Sequence, residues 1–179
     1  MRNAHSGFTL LELMIAVAVV AILFAVAIPA LANALEAARA GDARSGLLAS
    51  LTRAVSRAAI TGRHAVLCPS GDALACDAGQ DWSGGWIAFL DRNGNREREA
   101  DETVFFHQGA LAGKVRLRST VGRTRIVIQP SGGNAGSNVT FTLCDGRGPA
   151  RAQTLVISNR GRIRYGKPSP AAITATCPE

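Results

Sequence analysis

Four cationic side chains stand close together near the end of the sequence, in the segment NRGRIRYGK that covers residues 159–167. On a β-strand alternate side chains project from the same face, so Arg162 and Arg164 share one side and Ile163 points inward. Arg160 in the preceding turn and Lys167 after the strand extend the same ridge, and the ring of the lone tyrosine offers an aromatic face nearby. Guanidinium groups at this spacing can contact successive phosphates without reading bases. The pattern predicts a phosphate-binding hairpin; the alternative is an arginine-rich hairpin that contacts neighbouring subunits.

The distribution of charge supports a polyanionic partner. The 179 residues include 20 Lys and Arg against 13 Asp and Glu, a net charge of +7. Residues 114–167 hold eleven basic side chains and a single acid, Asp145, whereas residues 68–113 hold three basic and eight acidic ones. Such a cationic block favours nucleic acid, anionic lipid or an acidic protein. A solvated basic face that only aids solubility is the alternative.

The sequence shows no catalytic or metal-binding motif. His64 and His107 are the histidines beyond the first seven residues, and no GxSxG, HExxH or phosphate-binding loop occurs. Asp91, Asn93 and Asn95 alternate like the start of a calcium loop, but an arginine replaces the glycine that such a loop requires. An Asn-Gly hairpin explains that segment better. We therefore predict no enzymatic activity, no cofactor and no metal.

The N-terminal segment is typical of a membrane-spanning helix. No residue from Leu13 to Leu35 is charged, and about 20 apolar residues are long enough to cross a bilayer core. Arg2, which precedes the segment, would hold the N-terminus on the cytoplasmic side. Glu12 lies at the start of the apolar run, where a carboxylate is costly and normally has a partner. A glutamate that reaches back to the membrane surface is the alternative.

Four cysteines follow the apolar segment and therefore lie in an oxidising compartment, where disulfides persist. They allow three pairings, of which we expect the one between sequence neighbours, Cys68 with Cys76 and Cys144 with Cys177. A zinc site is the alternative, but no CxxC spacing or partner histidine supports it.

The elements that would position these residues are one long helix and a set of short strands. The helix extends to residue 62, with an apolar stripe of Leu47, Leu51 and Val55 beyond the membrane and Gly62 at its end. From residue 63 onward, alternation and turn residues predict an antiparallel sheet, and hence an α+β fold. The candidate strands are His64–Cys68, Trp86–Asp91, Thr103–His107, Lys114–Arg118, Thr124–Gln129, Asn138–Cys144, Thr154–Ser158 and Gly161–Tyr165.

The string GFTLLELMIAVAVVAILFAVAIPAL, residues 7–31, resembles the class III signal of type IV pilins and type II secretion pseudopilins. The resemblance implies that a prepilin peptidase cleaves after Gly7 and that the new terminal Phe8 is N-methylated. It places Glu12 at the fifth mature position, where the family's glutamate is thought to pair with the terminal amine of a neighbouring subunit. An ammonium and a carboxylate buried together offset each other's desolvation. Pro29 matches the family's helix-kinking proline.

The run from Cys68 to Leu111 resembles the GspH/FimT subgroup of these proteins, notably in Asp81-Trp82-Ser83 and in the DRNG turn that begins at Asp91. GRIR, residues 161–164, is similar to the GRxR motif of FimT-type minor pilins that bind DNA during natural transformation. The resemblance implies a type IV pilin-like fold with three parts. Residues 1–7 are the leader peptide, residues 8–62 the long helix (transmembrane to about residue 31), and residues 63–179 the globular domain.

These observations lead to one functional expectation and one alternative. The expected protein is a minor type IV pilin that crosses the inner membrane once, with its globular domain in the periplasm, and assembles into a pilus. Its expected partners are the prepilin peptidase, other pilin or pseudopilin subunits, and double-stranded DNA, which Arg160, Arg162, Arg164 and Lys167 would bind non-specifically. The alternative is a structural minor pilin or type II secretion pseudopilin that primes fibre assembly without binding DNA.

Overall fold

The computed structural model describes residues 9–177. It contains one long helix, α1 (Leu10–Thr61), and eight strands: β1 (His64–Pro69), β2 (Trp86–Asp91), β3 (Val104–Gln108), β4 (Arg116–Ser119), β5 (Ile126–Ile128), β6 (Val139–Cys144), β7 (Gln153–Ile157) and β8 (Ile163–Gly166). A 3₁₀ turn lies at Pro149–Arg151, and a short helix, α2 (Pro170–Thr176), follows the last strand. The chain divides into two units, one that ends at Leu35 and one that begins at Glu36.

Helix α1 is long and apolar enough to cross a membrane. The most apolar 18-residue window of α1 has a mean hydropathy of 2.9, and none of it is buried inside the protein. Its large side chains are exposed from Leu10 through Leu35. The helix continues through Pro29. Exposed apolar residues over this length are what a lipid environment requires of a helix.

The second half of α1 belongs to the compact unit and buries one stripe of small and apolar side chains. Its buried members are Ala40, Ala43, Leu47, Ser50, Leu51, Ala54 and Ala58. Val55, which the four-residue spacing predicts in the core, is 37% exposed. The prediction was wrong there because a 3.6-residue period carries the stripe from Leu51 to Ala54 and Ala58. The helix ends at Thr61, one residue before the predicted bound, and Gly62 (φ 67°) donates its N–H to the Ala58 carbonyl.

All strand pairs are antiparallel, and the strands form two sheets of four. The orders are β3-β2-β1-β5 and β4-β6-β7-β8. Each of the eight predicted strands overlaps an observed one. The sequence did not show that β5 pairs with β1 instead of with β4, the strand before it in the chain. That return splits what the sequence predicted as one sheet into two. The 3₁₀ turn and α2 were not predicted.

The main core lies between the helix and both sheets. The rings of Trp82 and Phe141 meet edge to face at 5.0 Å. The Trp82 and Trp86 indole N–H groups donate to the hydroxyls of Ser119 and Ser50, both at 3.2 Å. Both indoles are fully buried, so these bonds satisfy donors that would otherwise be costly to bury. The core fixes the second sheet, whose edge strand β8 carries the basic segment.

Candidate functional site

The basic segment forms the hairpin that joins β7 to β8. Gly161 donates its N–H to the Ser158 carbonyl at 2.9 Å, and Arg162 donates its N–H to the Ser158 hydroxyl at 3.0 Å. Gly161 has a φ of 77°, and a Cβ at this position would lie 2.6 Å from the Gly132 carbonyl oxygen. Only glycine fits both the backbone conformation and the space. The Asn159 carbonyl also accepts the N–H of Asn134, which holds the turn against a neighbouring loop.

The two faces of β8 are chemically different. Ile163 lies opposite Ile157 and Tyr165 opposite Leu155, and both partners belong to the core between sheet and helix. Arg164 lies opposite Val156 and therefore projects from the other, outer face. As predicted, the arginine and the isoleucine take opposite sides of the strand, but Ile163 at this edge is itself 38% exposed and not buried in the core.

Tyr165 does not share the arginine side of the hairpin. It faces α1, where the Arg44 guanidinium carbon lies 5.8 Å from its ring centroid. The Arg44 guanidinium also donates to the Gln153 side chain at 3.4 Å. The expected aromatic face beside the arginines is therefore occupied by a cation–π contact within the protein.

The cationic side chains of the hairpin are exposed and carry uncompensated charge. Arg160, Arg162, Arg164 and Lys167 are all exposed. Among residues 9–177 the ion pairs are Arg39–Glu36, Arg92–Asp101, Arg125–Glu97 and Arg147–Asp145, so none of the four hairpin cations has a carboxylate partner there. The structure thus places all four predicted residues on or beside one exposed edge strand, with their charge directed to solvent.

Asp145, the single acid of the basic block, does not neutralise this edge. It is buried, and Arg147 donates to its two oxygens at 2.9 and 2.7 Å. Burial acts to raise the pKa of Asp145, but the hydrogen bonds and charge of Arg147 outweigh it and hold that pKa below its ordinary value. The Asp145 carboxylate is therefore paired with Arg147.

The start of α1 places Glu12 in a capping box. The Glu12 N–H donates to the Thr9 hydroxyl at 3.2 Å, and the Thr9 N–H donates to Glu12 Oε2 at 3.3 Å. Thr9 contacts only Oε2 of the carboxylate, and among residues 9–177 no hydrogen bond reaches Oε1. Gly7 and Phe8, the predicted cleavage and methylation residues, lie outside the described residues.

Both expected disulfides are present. Cys68 bonds to Cys76 and Cys144 to Cys177, with Cα–Cα distances of 5.5 and 5.4 Å. The second bond joins the end of α2 to the last residue of β6, and so attaches the C-terminal segment to the second sheet.

In the segment that starts like a calcium loop, buried carboxylates accept hydrogen bonds from backbone N–H groups. The Asp91 carboxylate accepts from the N–H groups of Gly94 and Arg96, and Glu102 accepts from those of Arg92 and Glu99. Both acids are buried, and these bonds explain why. Within the described part of the chain, no group of three or more His, Cys, Asp or Glu side chains is arranged to hold a metal ion.

Sequence reasoning missed two further arginines of the second sheet. Arg116 and Arg118 lie on β4, at the edge opposite β8, and neither forms an ion pair with a described carboxylate. The alternation in VRLR, residues 115–118, predicts that both project from the solvent side of a strand. It does not reveal which strand lies at the far edge of the same sheet.

Comparison with known proteins places this fold among pilin-like proteins. The family model described as type II transport protein GspH matches residues 43–161, and the prokaryotic N-terminal methylation motif matches residues 2–28. No curated protein sequence matches significantly.

Three solved structures share the fold at low identity. Two are crystal forms of the type IV minor pilin FimU of Pseudomonas aeruginosa. One has 18% identity and a TM-score of 0.56 over 82% of this chain and 95% of FimU, and the other 17% and 0.53 over 79% and 96%. The third is the minor pseudopilin EpsH from the type 2 secretion system of Vibrio cholerae, with 13% identity and a TM-score of 0.51 over 73% of this chain and 98% of EpsH.

The family model covers well over half of the chain, and the long apolar helix followed by antiparallel sheets agrees with it. This chain belongs to the GspH family, with the N-terminal methylation motif and the fold of type IV minor pilins and minor pseudopilins.

Proposed function

We propose that this chain is a minor type IV pilin that binds extracellular double-stranded DNA non-specifically through the β7–β8 hairpin, for uptake in natural transformation. The observation that carries the proposal is the exposed edge strand whose four cations have no carboxylate partner among the described residues. Cations held in this way can release counterions from DNA when they meet phosphates. The rigid turn around Gly161 fixes the backbone from which the arginines project.

The expected contacts are to the DNA backbone rather than to bases. Arg164 projects from the sheet face, and Arg162 is tethered through its backbone to Ser158. Guanidinium groups pair readily with phosphate oxygens, and such contacts carry no sequence information. The ring of Tyr165 contacts Arg44 of α1 and projects from the side of β8 opposite to Arg164. Binding should therefore depend on charge and salt more than on DNA sequence.

Membrane insertion and assembly form the other part of the proposal. The prepilin peptidase would cleave after Gly7, Phe8 would be methylated, and the compact unit would lie in the periplasm before the chain joins a pilus. The N-terminal methylation motif and the exposed apolar part of α1 support this sequence of events. The oxygen of Glu12 that Thr9 does not engage is the one that would accept the amine of a neighbouring subunit. We infer no catalytic role, because the family and the similar structures are pilins and pseudopilins.

Salt titration of the purified full chain in a non-ionic detergent tests DNA binding. Fluorescence anisotropy with a labelled duplex should show binding at low salt that weakens steeply as salt rises. Replacing Arg162 and Arg164 by Gln should lower the salt slope by about two, one for each lost phosphate contact. Arg57→Gln with Arg63→Gln removes the same charge from exposed positions outside the second sheet and serves as the control. No binding at low salt, or equal effects of the two double variants, would count against the proposal.

A second candidate function is that of a purely structural minor pilin or type II secretion pseudopilin. The description of the matching family and the fold shared with EpsH favour it. In that case the hairpin cations would contact neighbouring subunits. Substitution of Arg162 and Arg164 would then reduce piliation or secretion and leave DNA binding by the purified chain unchanged.

A further inference from the structure

A groove crosses the outer face of the second sheet, between the basic hairpin and β4. The register defines its floor. Arg118 lies opposite Thr142, which lies opposite Thr154. In the next row Thr140 lies opposite Val156, which lies opposite Arg164. Directly opposed residues project from the same face of an antiparallel sheet, so both rows share the face that looks away from the core.

The groove has a volume of about 480 Å³, with α2 on one side and the turn after β4 on the other. Its floor is formed by the three threonines and Val156, while Arg118 and Lys167 also line it. The side chains of Thr142 and Thr154 are more than nine-tenths buried. No hydrogen bond between described residues uses either hydroxyl, so both can donate to a ligand in the groove.

The electrostatics of the groove select an anion. The described residues that line it include two cations and several hydroxyl groups but no carboxylate. Asp81 lies directly opposite Arg118 in an isolated antiparallel bridge, so an acidic side chain stands beside this end of the groove. Asp81 lines an adjacent hollow, accepts the N–H of Ser83 and forms no ion pair with Arg118 among the described residues. Arg164 adjoins the groove at the β8 edge, because its strand partner Val156 is part of the floor. The positive charge of the hairpin therefore extends into the groove.

We propose that the DNA contact continues from the hairpin along this groove to Arg118, with one phosphodiester backbone following the threonine floor. The inference rests on the proposed function and extends it. The distance from β8 to β4 is three strand spacings, roughly 14 Å. Arginine, lysine and threonine are all donors that commonly contact phosphate oxygens.

Two substitutions on opposite walls of the groove test this path without touching the hairpin. Arg118→Gln removes a cation. Ala171→Glu places a carboxylate at an exposed position of α2 that lines the groove. Residue 171 is in the first turn of α2, where an acidic side chain favours the helix, so this variant should fold even if Arg118→Gln does not. Circular dichroism confirms the fold of each variant. The controls are Arg57→Gln and Ala59→Glu, at exposed positions of α1.

The measurement is anisotropy of the full chain with a labelled duplex across a salt series. Arg118→Gln should lower the salt slope by about one, and either groove variant should weaken low-salt binding on the order of tenfold relative to its control. Wild-type chain that binds no DNA would defeat the proposed function itself. Wild-type chain that binds, together with groove variants that bind like their controls, would overturn the groove and leave the hairpin site intact.

Discussion

Gly161 determines the geometry of the basic hairpin more directly than any arginine on it. Its φ is 77°, and the position of its missing Cβ lies 2.6 Å from a backbone oxygen of Gly132. A backbone oxygen cannot move aside as the end of a flexible side chain can. The arginines therefore depend on a residue with no side chain for the direction in which they project.

Gly161→Ala should destabilise the protein and weaken DNA binding together. A left-handed alanine alone costs roughly 1–2 kcal/mol, and the collision with Gly132 should add to that in urea unfolding. Gly122→Ala is the matched control, because Gly122 has the same φ of 77° and nothing within 4 Å of its Cβ position. Equal losses of stability in the two variants would show that the collision is not a real constraint.

Glu36 should make stability depend on pH at the start of the compact unit. Its carboxylate accepts the Gly146 N–H at 3.0 Å and pairs with Arg39, and the Gly146 bond is the main reason that its pKa lies below the ordinary 4.5. A lowered folded-state pKa means that the carboxylate stabilises the protein above pH 4.5 and ceases to do so as the pH falls through the folded value.

The difference in melting temperature between wild type and Glu36→Gln should therefore be largest near neutral pH and shrink as the pH falls below 4.5. A thermal melt of both chains at several pH values measures it. Asp42→Gln, an exposed acid on the same helix, should show little difference at any pH. A difference in melting temperature that increases as the pH falls would contradict the assigned role of Glu36.

At the scale of elements, α2 depends on its disulfide. The helix has only seven residues, too few to be stable alone, and Cys177 joins it to β6. Replacing Cys144 and Cys177 by Ala should abolish hydrogen-exchange protection over Pro170–Thr176 and leave the strands protected. In the loop-closure account, this bond, with a sequence separation of 33, contributes about 3.7 kcal/mol, against about 2.5 for Cys68–Cys76 with a separation of 8.

The variant lacking Cys68 and Cys76 is the control, since it should lose stability and keep α2 protected. If α2 stays protected without Cys144 and Cys177, contacts with the sheet are enough to hold it. The DNA path along the groove would then not depend on an oxidising environment.

The elements that the sequence predicts well are those with local signals. Alternation located the strands, and Gly62 marked the end of α1. Val55 was misplaced because the stripe shifts to alanines, whose small side chains give a weak hydrophobic signal. The start of α2 has a local signal, because Ser169 caps it and Pro170 opens it, but the helix is too short for periodicity.

The hairpin cations could be predicted because they lie within eight residues of sequence, whereas the groove could not be predicted. Arg118 and Lys167 are brought to one face by pairing between strands that are far apart in the chain. Such register is decided by long-range packing of the core, which a single sequence does not display.

In the whole molecule, we expect Glu12 to be needed for assembly into a fibre but not for membrane insertion. Glu12→Gln keeps the size of the side chain and removes the charge that would pair with a neighbour's terminal amine. The variant should be processed and methylated normally, as mass spectrometry of its N-terminus would show, yet be absent from sheared pili. Recovery of the variant in pili at wild-type levels would contradict a pairing role for Glu12.

We propose that this one chain both joins a fibre and captures DNA through its hairpin. The most direct test counts pili and surface-bound fluorescent duplex DNA on the same native cells, with the wild-type chain or with Arg162 and Arg164 replaced by Gln. We predict unchanged pilus number and a loss of most pilus-bound DNA in the variant, while the Arg57→Gln, Arg63→Gln control retains both. An undiminished amount of bound DNA on piliated variant cells would contradict DNA capture by the hairpin.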